Sequence, residues 1–190
     1  KSIGMKKHIL IVILVFFSQF AYTQMDSIKF GLKCQIIRAL SGSTTSKVLY
    51  AGLKGKHLGA GKMYKSVDLG KTWDILNGGK PIGSYVSDIQ SISVSNNPMH
   101  TIYAGTWKNG LYKSNNGGKT WERDCGFPYS DVRSLKVGVQ RKELVYAATS
   151  AFGVVRSIDG GKTWLRSSPK VIDSTFSFVW SIEVSKSNDS

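Results

Sequence analysis

Three stretches share one pattern: Ser66-Val67-Asp68-Leu69-Gly70-Lys71-Thr72-Trp73, Ser114-Asn115-Asn116-Gly117-Gly118-Lys119-Thr120-Trp121 and Ser157-Ile158-Asp159-Gly160-Gly161-Lys162-Thr163-Trp164. Each reads Ser-x-(Asp/Asn)-x-Gly-Lys-Thr-Trp. Their spacing of a little under fifty residues is the period of a repeat built from one small β-sheet. Gly70, Gly118 and Gly161 offer a backbone position where φ > 0 is free of steric cost. Asp68, Asn116 and Asp159 carry short acceptors that can pin a tight turn from within. Ser66, Ser114 and Ser157, with Thr72, Thr120 and Thr163, supply further hydroxyls at constant offsets. Trp73, Trp121 and Trp164 then bury a large ring against the hairpin and the adjoining sheet. The box is thus read as a fastener, not a catalytic centre.

Working outward, each box is preceded by strand-like segments at matching distances. Residues 48–52, 101–105 and 144–148 (Val-Leu-Tyr-Ala-Gly, Thr-Ile-Tyr-Ala-Gly and Leu-Val-Tyr-Ala-Ala) form one set. Residues 62–65, 110–113 and 153–156 form a second. Residues 88–94 and 131–137, echoed at 36–40 and 178–184, form a third. All are rich in β-branched and aromatic residues and are bounded by Gly, Asn, Ser and Pro, as strands are. Each unit is expected to contain four strands, the last beginning at Lys-Thr-Trp. The expected fold is all-β: a β-propeller of antiparallel four-stranded blades over residues 36–76, 88–124 and 131–167, with the first strand of a fourth at 178–184. Because propellers close with about four to eight blades, the chain is expected to be the N-terminal portion of a larger propeller, or else to close with a second copy.

The boxes resemble the Asp-box (BNR) repeat of sialidases, xyloglucan-cleaving glycoside hydrolases, sortilin-type receptors and photosystem II assembly-factor-like proteins. The segments Ile-Tyr-Ala-Gly-Thr (102–106) and Gly-Leu-Tyr-Lys-Ser (110–114) strengthen the likeness to the last three. The resemblance spans roughly residues 36–184, implies the propeller fold, and places the box at the blade periphery, away from the ligand face. Asn116 in place of aspartate and Leu69 in place of glycine depart from the pattern. Gly-Lys-Thr is not a phosphate loop, because the glycine that motif needs five residues upstream is Lys65, Lys113 or Arg156.

At the N-terminus, Lys6 and Lys7 precede an apolar run over residues 9–17 and a small, polar exit, the arrangement of a secretory signal peptide over residues 5–23. Residues 1–4 ahead of Met5 read as an upstream artefact. The apolar run falls far short of the roughly 20 residues that span a bilayer as a helix. No integral span is therefore expected in residues 24–190, and the expected location is outside the cell or in its envelope. Removing the signal lowers the net charge from +14 to +11. The remaining lysines are dispersed, which suits a solvated surface or attraction to acidic glycans, and no nucleic-acid motif is present. Cys34 and Cys125 could form one disulfide or remain separate thiols. No metal spacing occurs, and no cofactor is expected.

If neighbouring strands alternate in direction, the loops opposite the boxes gather at one face. Those loops hold Lys54, Lys56, His57, Tyr85, Trp107, Lys108, Phe127, Tyr129, Phe152 and Phe176. The candidate ligand contacts are Trp107, Lys108, His57, Tyr85 and Tyr129, with Trp107 foremost because Gly105 and Gly110 bracket it in a short loop. Aromatic rings at such a face can stack on sugars or hold peptide side chains. The expected function is a non-catalytic binding or scaffold module for a glycan or protein. The alternative is an extracellular glycoside hydrolase, sialidase- or xyloglucanase-like. A glycosidase needs two carboxylates flanking the bond, and the candidates are Asp88 and Asp131, with Asp124 beside them. Asp88 and Asp131 recur at one repeat position, which favours loop closure. An Arg-(Ile/Val)-Pro segment, expected of a sialidase, is absent, and Leu53-Lys54-Gly55-Lys56 stands where the xyloglucanase-like family carries an aspartate.

Overall fold

Each box closes the last hairpin of a four-stranded antiparallel sheet. A computed structural model of the chain describes residues 36–42, 47–55, 61–80, 82, 88–95, 100–167 and 179–184. The signal-peptide stretch, Cys34, Lys56, His57, Tyr85, Phe176 and Phe178 lie outside the described residues.

The first sheet runs β1 (Ile37–Gly42), β2 (Leu49–Leu53), β3 (Met63–Ser66), β4 (Asp74–Ile75); the second β5 (Ile89–Val94), β6 (Ile102–Thr106), β7 (Leu111–Ser114), β8 (Glu122–Arg123); the third β9 (Val132–Val137), β10 (Val145–Thr149), β11 (Val154–Ser157), β12 (Leu165–Arg166). Within each sheet the strands pair in chain order, every pair antiparallel. These are propeller blades. The first strands lie against one another from sheet to sheet, β1 on β5 and β5 on β9, while the fourth strands are short and largely exposed. Residues 179–184, expected to hold most of the first strand of a fourth blade, form no strand and instead lie along the third blade. Val179 N–H donates to Thr149 O at 3.3 Å, and Ile182 N–H to Ser134 Oγ at 3.4 Å.

The blades are held together by apolar layers lying between them. Tyr50, Met63, Ile89, Ile92, Ile102 and Tyr112 form the layer between the first two blades. Tyr103, Leu111, Phe127, Val132, Leu135, Val145 and Val155 form the next. Strand β6 of the middle blade is apolar on both faces because Ile102 and Ala104 meet one layer and Tyr103 the other. The tyrosine of the repeated second strand is fully buried in both of the first two blades. Its polar end is satisfied across the blade boundary in the second, where Tyr103 Oη and Lys113 Nζ both donate to Gly160 O, at 3.0 and 2.7 Å. Burial first, then Asp124 and Asp159 nearby, pushes the Tyr103 hydroxyl up to about 12.

The boxes share one hydrogen-bond set. The serine hydroxyl donates to the Asp or Asn oxygen at 2.7–2.9 Å and accepts the glycine N–H four residues on at 2.8–2.9 Å. The same Asp or Asn oxygen accepts the threonine N–H at 2.8–2.9 Å. Asp68 and Asp159 also take the threonine hydroxyl at 2.6 Å. Asn116 keeps the geometry by reversing the sense of this bond, its Nδ2 donating to Thr120 Oγ1 at 2.7 Å. These bonds keep Lys-Thr-Trp inside the turn. The fourth strand therefore starts after the tryptophan, at Asp74, Glu122 and Leu165, and not at Lys-Thr-Trp as the sequence suggested. Two consecutive residues at φ > 0 complete each turn: Gly117-Gly118, Gly160-Gly161 and Leu69-Gly70. Leu69, at φ 61°, pays for its side chain with about 1–2 kcal/mol of left-handed strain.

The tryptophans split two ways. Trp73 Nε1 donates to Gly70 O at 3.0 Å and Trp121 Nε1 to Gly118 O at 3.1 Å, each within its own turn. Trp164 Nε1 instead donates to Asp124 Oδ2 of the preceding blade at 3.0 Å.

Acid should loosen the turns before the core. Hydrogen bonds from the Thr72 hydroxyl, then the Thr72 N–H and the Ser66 hydroxyl, hold the Asp68 carboxyl down at about 2. Asp159 is held below its ordinary range by the Thr163 hydroxyl and N–H and the Ser157 hydroxyl. A free aspartate titrates at about 3.9. The unfolded chain thus takes up these protons first. The contribution is fully present above about pH 4 and is lost as pH falls through the folded-state values. The Asp68→Asn/Asp159→Asn double variant, which copies Asn116, is expected to lose less melting temperature than the parent between about pH 5 and pH 2. Parallel melting curves across that window would contradict this role.

Candidate functional site

Chain-order antiparallel pairing puts the first and third connections of every blade, the latter being the box, at one end. The second connections and the links between blades lie at the other. At this second end the β6–β7 loop is clamped almost atom by atom. Thr106 N–H and Oγ1 both donate to Gly110 O, at 3.0 and 2.8 Å. Trp107 N–H donates to Asp88 O at 3.0 Å, and Gly110 N–H to Ser130 O at 3.1 Å. Lys108 N–H donates to Asp131 Oδ1 at 2.9 Å, and Arg123 Nε to Asn109 O at 3.3 Å. Lys108 sits at φ 67° and Gly110 at φ 74°. A side chain at position 110 would approach Pro128 O at 3.0 Å, so the two loops touch backbone to backbone.

From this frame the Trp107 indole stands 40% exposed and Tyr129 stands 70% exposed. Tyr129 is not loose. The Arg123 guanidinium lies 3.6 Å from its ring centroid and donates through Nη2 to Phe127 O at 3.3 Å. One face of the phenol ring is thus backed by a cation that the loop itself holds, a stacking worth about 0.5–1 kcal/mol at an exposed site. Phe127, beside it in sequence, goes the other way. It is buried under the loop, edge-on to Trp164 at 4.9 Å. Phe152 is half-buried against the same layer. Trp107, Lys108 and Tyr129 are therefore brought onto adjoining loops, and Lys54 lies exposed on the corresponding loop of the first blade.

The candidate carboxylates occupy the seams between blades. Asp88 is buried. Its Oδ1 accepts Gly55 N–H from the preceding blade at 2.8 Å, and its Oδ2 lies 3.7 Å from Arg38 Nη2. Asp131 repeats the backbone half of this arrangement, its Oδ1 taking the Lys108 N–H of the preceding blade, but its Oδ2 takes the Arg133 Nη2 of its own blade at 3.1 Å. Each carboxylate clasps the second loop of the blade before it. Asp124 is half-buried, bonded to Trp164 Nε1 and to Gly126 N–H at 3.1 Å, and burial pushes its carboxyl up. Among the described residues no group of His, Cys, Asp and Glu is arranged to hold a metal ion, and no helix is long and apolar enough to cross a membrane. Cys125 is exposed and free, its Sγ donating to Arg123 O at 3.7 Å.

Arg123 is the residue that sequence reasoning missed. It sits in a two-residue strand, and nothing local shows that its side chain turns back under Tyr129.

No family model matches the chain, and no curated protein matches it. Solved structures do. A GH74 xyloglucanase from Xanthomonas campestris superposes with a TM-score of 0.54 at 15% identity, over 70% of this chain and 24% of that one. The GH74 enzyme of Niastella koreensis gives 0.55 at 20% identity, over 70% and 22%. YCF48 bound to D1 peptide gives 0.52 at 17% identity, over 69% and 40%. The chain thus spans well under half the length of each. All three are β-propeller proteins, and the likeness at this identity is one of fold.

Proposed function

We propose that this chain is an exported, non-catalytic β-propeller module with Asp-box turns, which binds a glycan or protein at its loop face through Trp107, Lys108 and Tyr129. The supporting observation is the clamped β6–β7 loop, which holds the exposed Trp107 on a backbone already fixed by hydrogen bonds, beside the adjoining link that presents Tyr129 on Arg123. Rings presented in this way lose little conformational entropy on binding, so their buried area converts more fully into affinity. The shared bond set of the three boxes supports the Asp-box assignment, and the basic, apolar and small-residue sequence of residues 5–23 supports export. YCF48 offers a precedent for a peptide partner and the xyloglucanases one for a sugar partner. A hydrolase reading is disfavoured because both oxygens of Asp88 and of Asp131 already face donors.

The test is retention on a printed glycan array and on an array of immobilised peptides, for the parent and for the Trp107→Ala/Tyr129→Ala double variant. Retention on one array, abolished in the variant at an unchanged melting temperature, is expected. Retention that survives the double substitution would place the ligand elsewhere.

A further inference from the structure

We propose a second ligand site, on the inner face of the first strands, that takes the carboxylate-bearing ring of an acidic polysaccharide. The site lies apart from the loop face, though Asp88 and Asp131 touch both. It is a cavity of about 270 Å³ formed by β1, β5 and β9. That is slightly below the roughly 300 Å³ at which small-molecule pockets begin, and so suits one sugar ring.

The lining is set by the same irregularity in every blade. The register jumps from Ile37↔Leu53 to Ala39↔Gly52, from Ile89↔Thr106 to Ser91↔Gly105, and from Val132↔Thr149 to Ser134↔Ala148. Each jump is a β-bulge, and the extra residues are Arg38, Gln90 and Arg133. Bulges re-aim side chains and favour functional sites. All three residues line the cavity, together with Lys136, Ser41 and Ser93.

Among the described residues three cations border this space, and no carboxylate is in its lining. Asp88 and Asp131 brace Arg38 and Arg133 from outside the lining, and each also receives a backbone N–H. Arg38, braced through one terminal nitrogen, keeps further donors in a fork suited to a carboxylate. Arg133 is also packed over the Trp180 ring at 4.5 Å, which fixes its plane. Lys136 meets Glu183 at 2.7 Å, but the glutamate is 78% exposed, and such surface pairs are weak enough to exchange for a bound anion. Between the cations lie neutral hydrogen-bonding groups. The Gln90 amide both donates and accepts. Ser93 Oγ accepts the Val137 N–H at 3.0 Å, which leaves its proton to donate. Cations alternating with hydroxyl and amide groups match a ring that carries hydroxyls beside its carboxylate, more closely than they match an acidic peptide.

The experiment is calorimetric titration of the whole chain with polygalacturonate, with neutral dextran and polyglutamate alongside. Binding to polygalacturonate that weakens with salt and exceeds binding to either comparison polymer is expected. Gln90→Glu, which sets a carboxylate between the arginines, should weaken it by about tenfold or more. Lys136→Gln, which gives up one exposed pair, should weaken it by about threefold and serves if the first variant melts early. Failure to bind polygalacturonate, equal binding to dextran, equal or tighter binding to polyglutamate, or indifference to both charge variants overturns the proposal.

Discussion

Gly105→Val is expected to cost about 3 kcal/mol or more in stability, as overpacking does where backbone blocks relief. Gly105 lies in β6 at the point where β9 of the next blade crosses closest. A Cβ there would collide with Ser91 Oγ and would lie 2.6 and 2.7 Å from Val132 Cγ1 and Cβ. Ser91 cannot yield freely, because its hydroxyl donates to Val132 O at 3.0 Å and so bridges the two blades. Gly52 is the equivalent residue one blade earlier, where a Cβ would meet Ile89, 2.7 Å from that residue's own Cβ. Equilibrium denaturation in urea should show the loss as a lower midpoint, and an unchanged midpoint would mean that the blades do not pack this closely. Glycine serves here by its lack of a side chain at a crossing.

Phe127→Ala is expected to cost about 3–5 kcal/mol, the range for deleting a buried aromatic ring. Phe127 is 2% exposed and packs edge-on against Trp164, and the same tryptophan bonds Asp124 of the preceding blade. The link between the second and third blades is thus pinned at Phe127 and at Trp164. Tyr129→Ala, two residues on, should cost no more than about 1 kcal/mol, the value of its stacking on Arg123. The contrast is read from the two melting curves under one set of conditions. Equal losses would mean that Tyr129 is a packing residue and not a presented ring.

The architecture was legible because it is repeated and local. Residues 88–94, 101–105 and 110–113, read from β-branched and aromatic runs, correspond to β5, β6 and β7 within a residue or two. The fourth strand was misplaced because the bonds of Thr72, Thr120 and Thr163 to the box acceptor prolong the turn, and propensity alone does not register such bonds. The glycine at the end of Tyr-Ala-Gly was visible, but its reason was not, since that reason is a strand of the next blade. The same holds for Trp164, which looks identical to Trp73 and Trp121 in sequence. Its Nε1 bonds to the preceding blade where an acceptor, Asp124, stands before its box; the corresponding residue before the second box is the apolar Leu76, against which a Cβ on Gly118 would lie at 2.6 Å.

The loop face was only partly legible. The short bracket between Gly105 and Gly110 pointed to Trp107, and its indole is exposed. The opposite fates of Phe127 and Tyr129 depend on Trp164 and Arg123, whose side-chain directions are set by tertiary packing. The bulges that place Arg38, Gln90 and Arg133 are a matter of register between strands, which no single strand's composition records.

Asp88 and Asp131 clasp neighbouring blades, and the proposed binding module holds its ligand without cleaving it. The most direct measurement pairs thermal melting with release of reducing sugar from xyloglucan, β-glucan and sialoside substrates, for the parent, Asp88→Ala and Asp131→Ala. No sugar release by the parent is expected, with a lower melting temperature in both variants from about 1–3 kcal/mol of stability lost to orphaned backbone and arginine donors. Turnover by the parent that vanishes in Asp131→Ala, with the melting temperature unmoved, would contradict it.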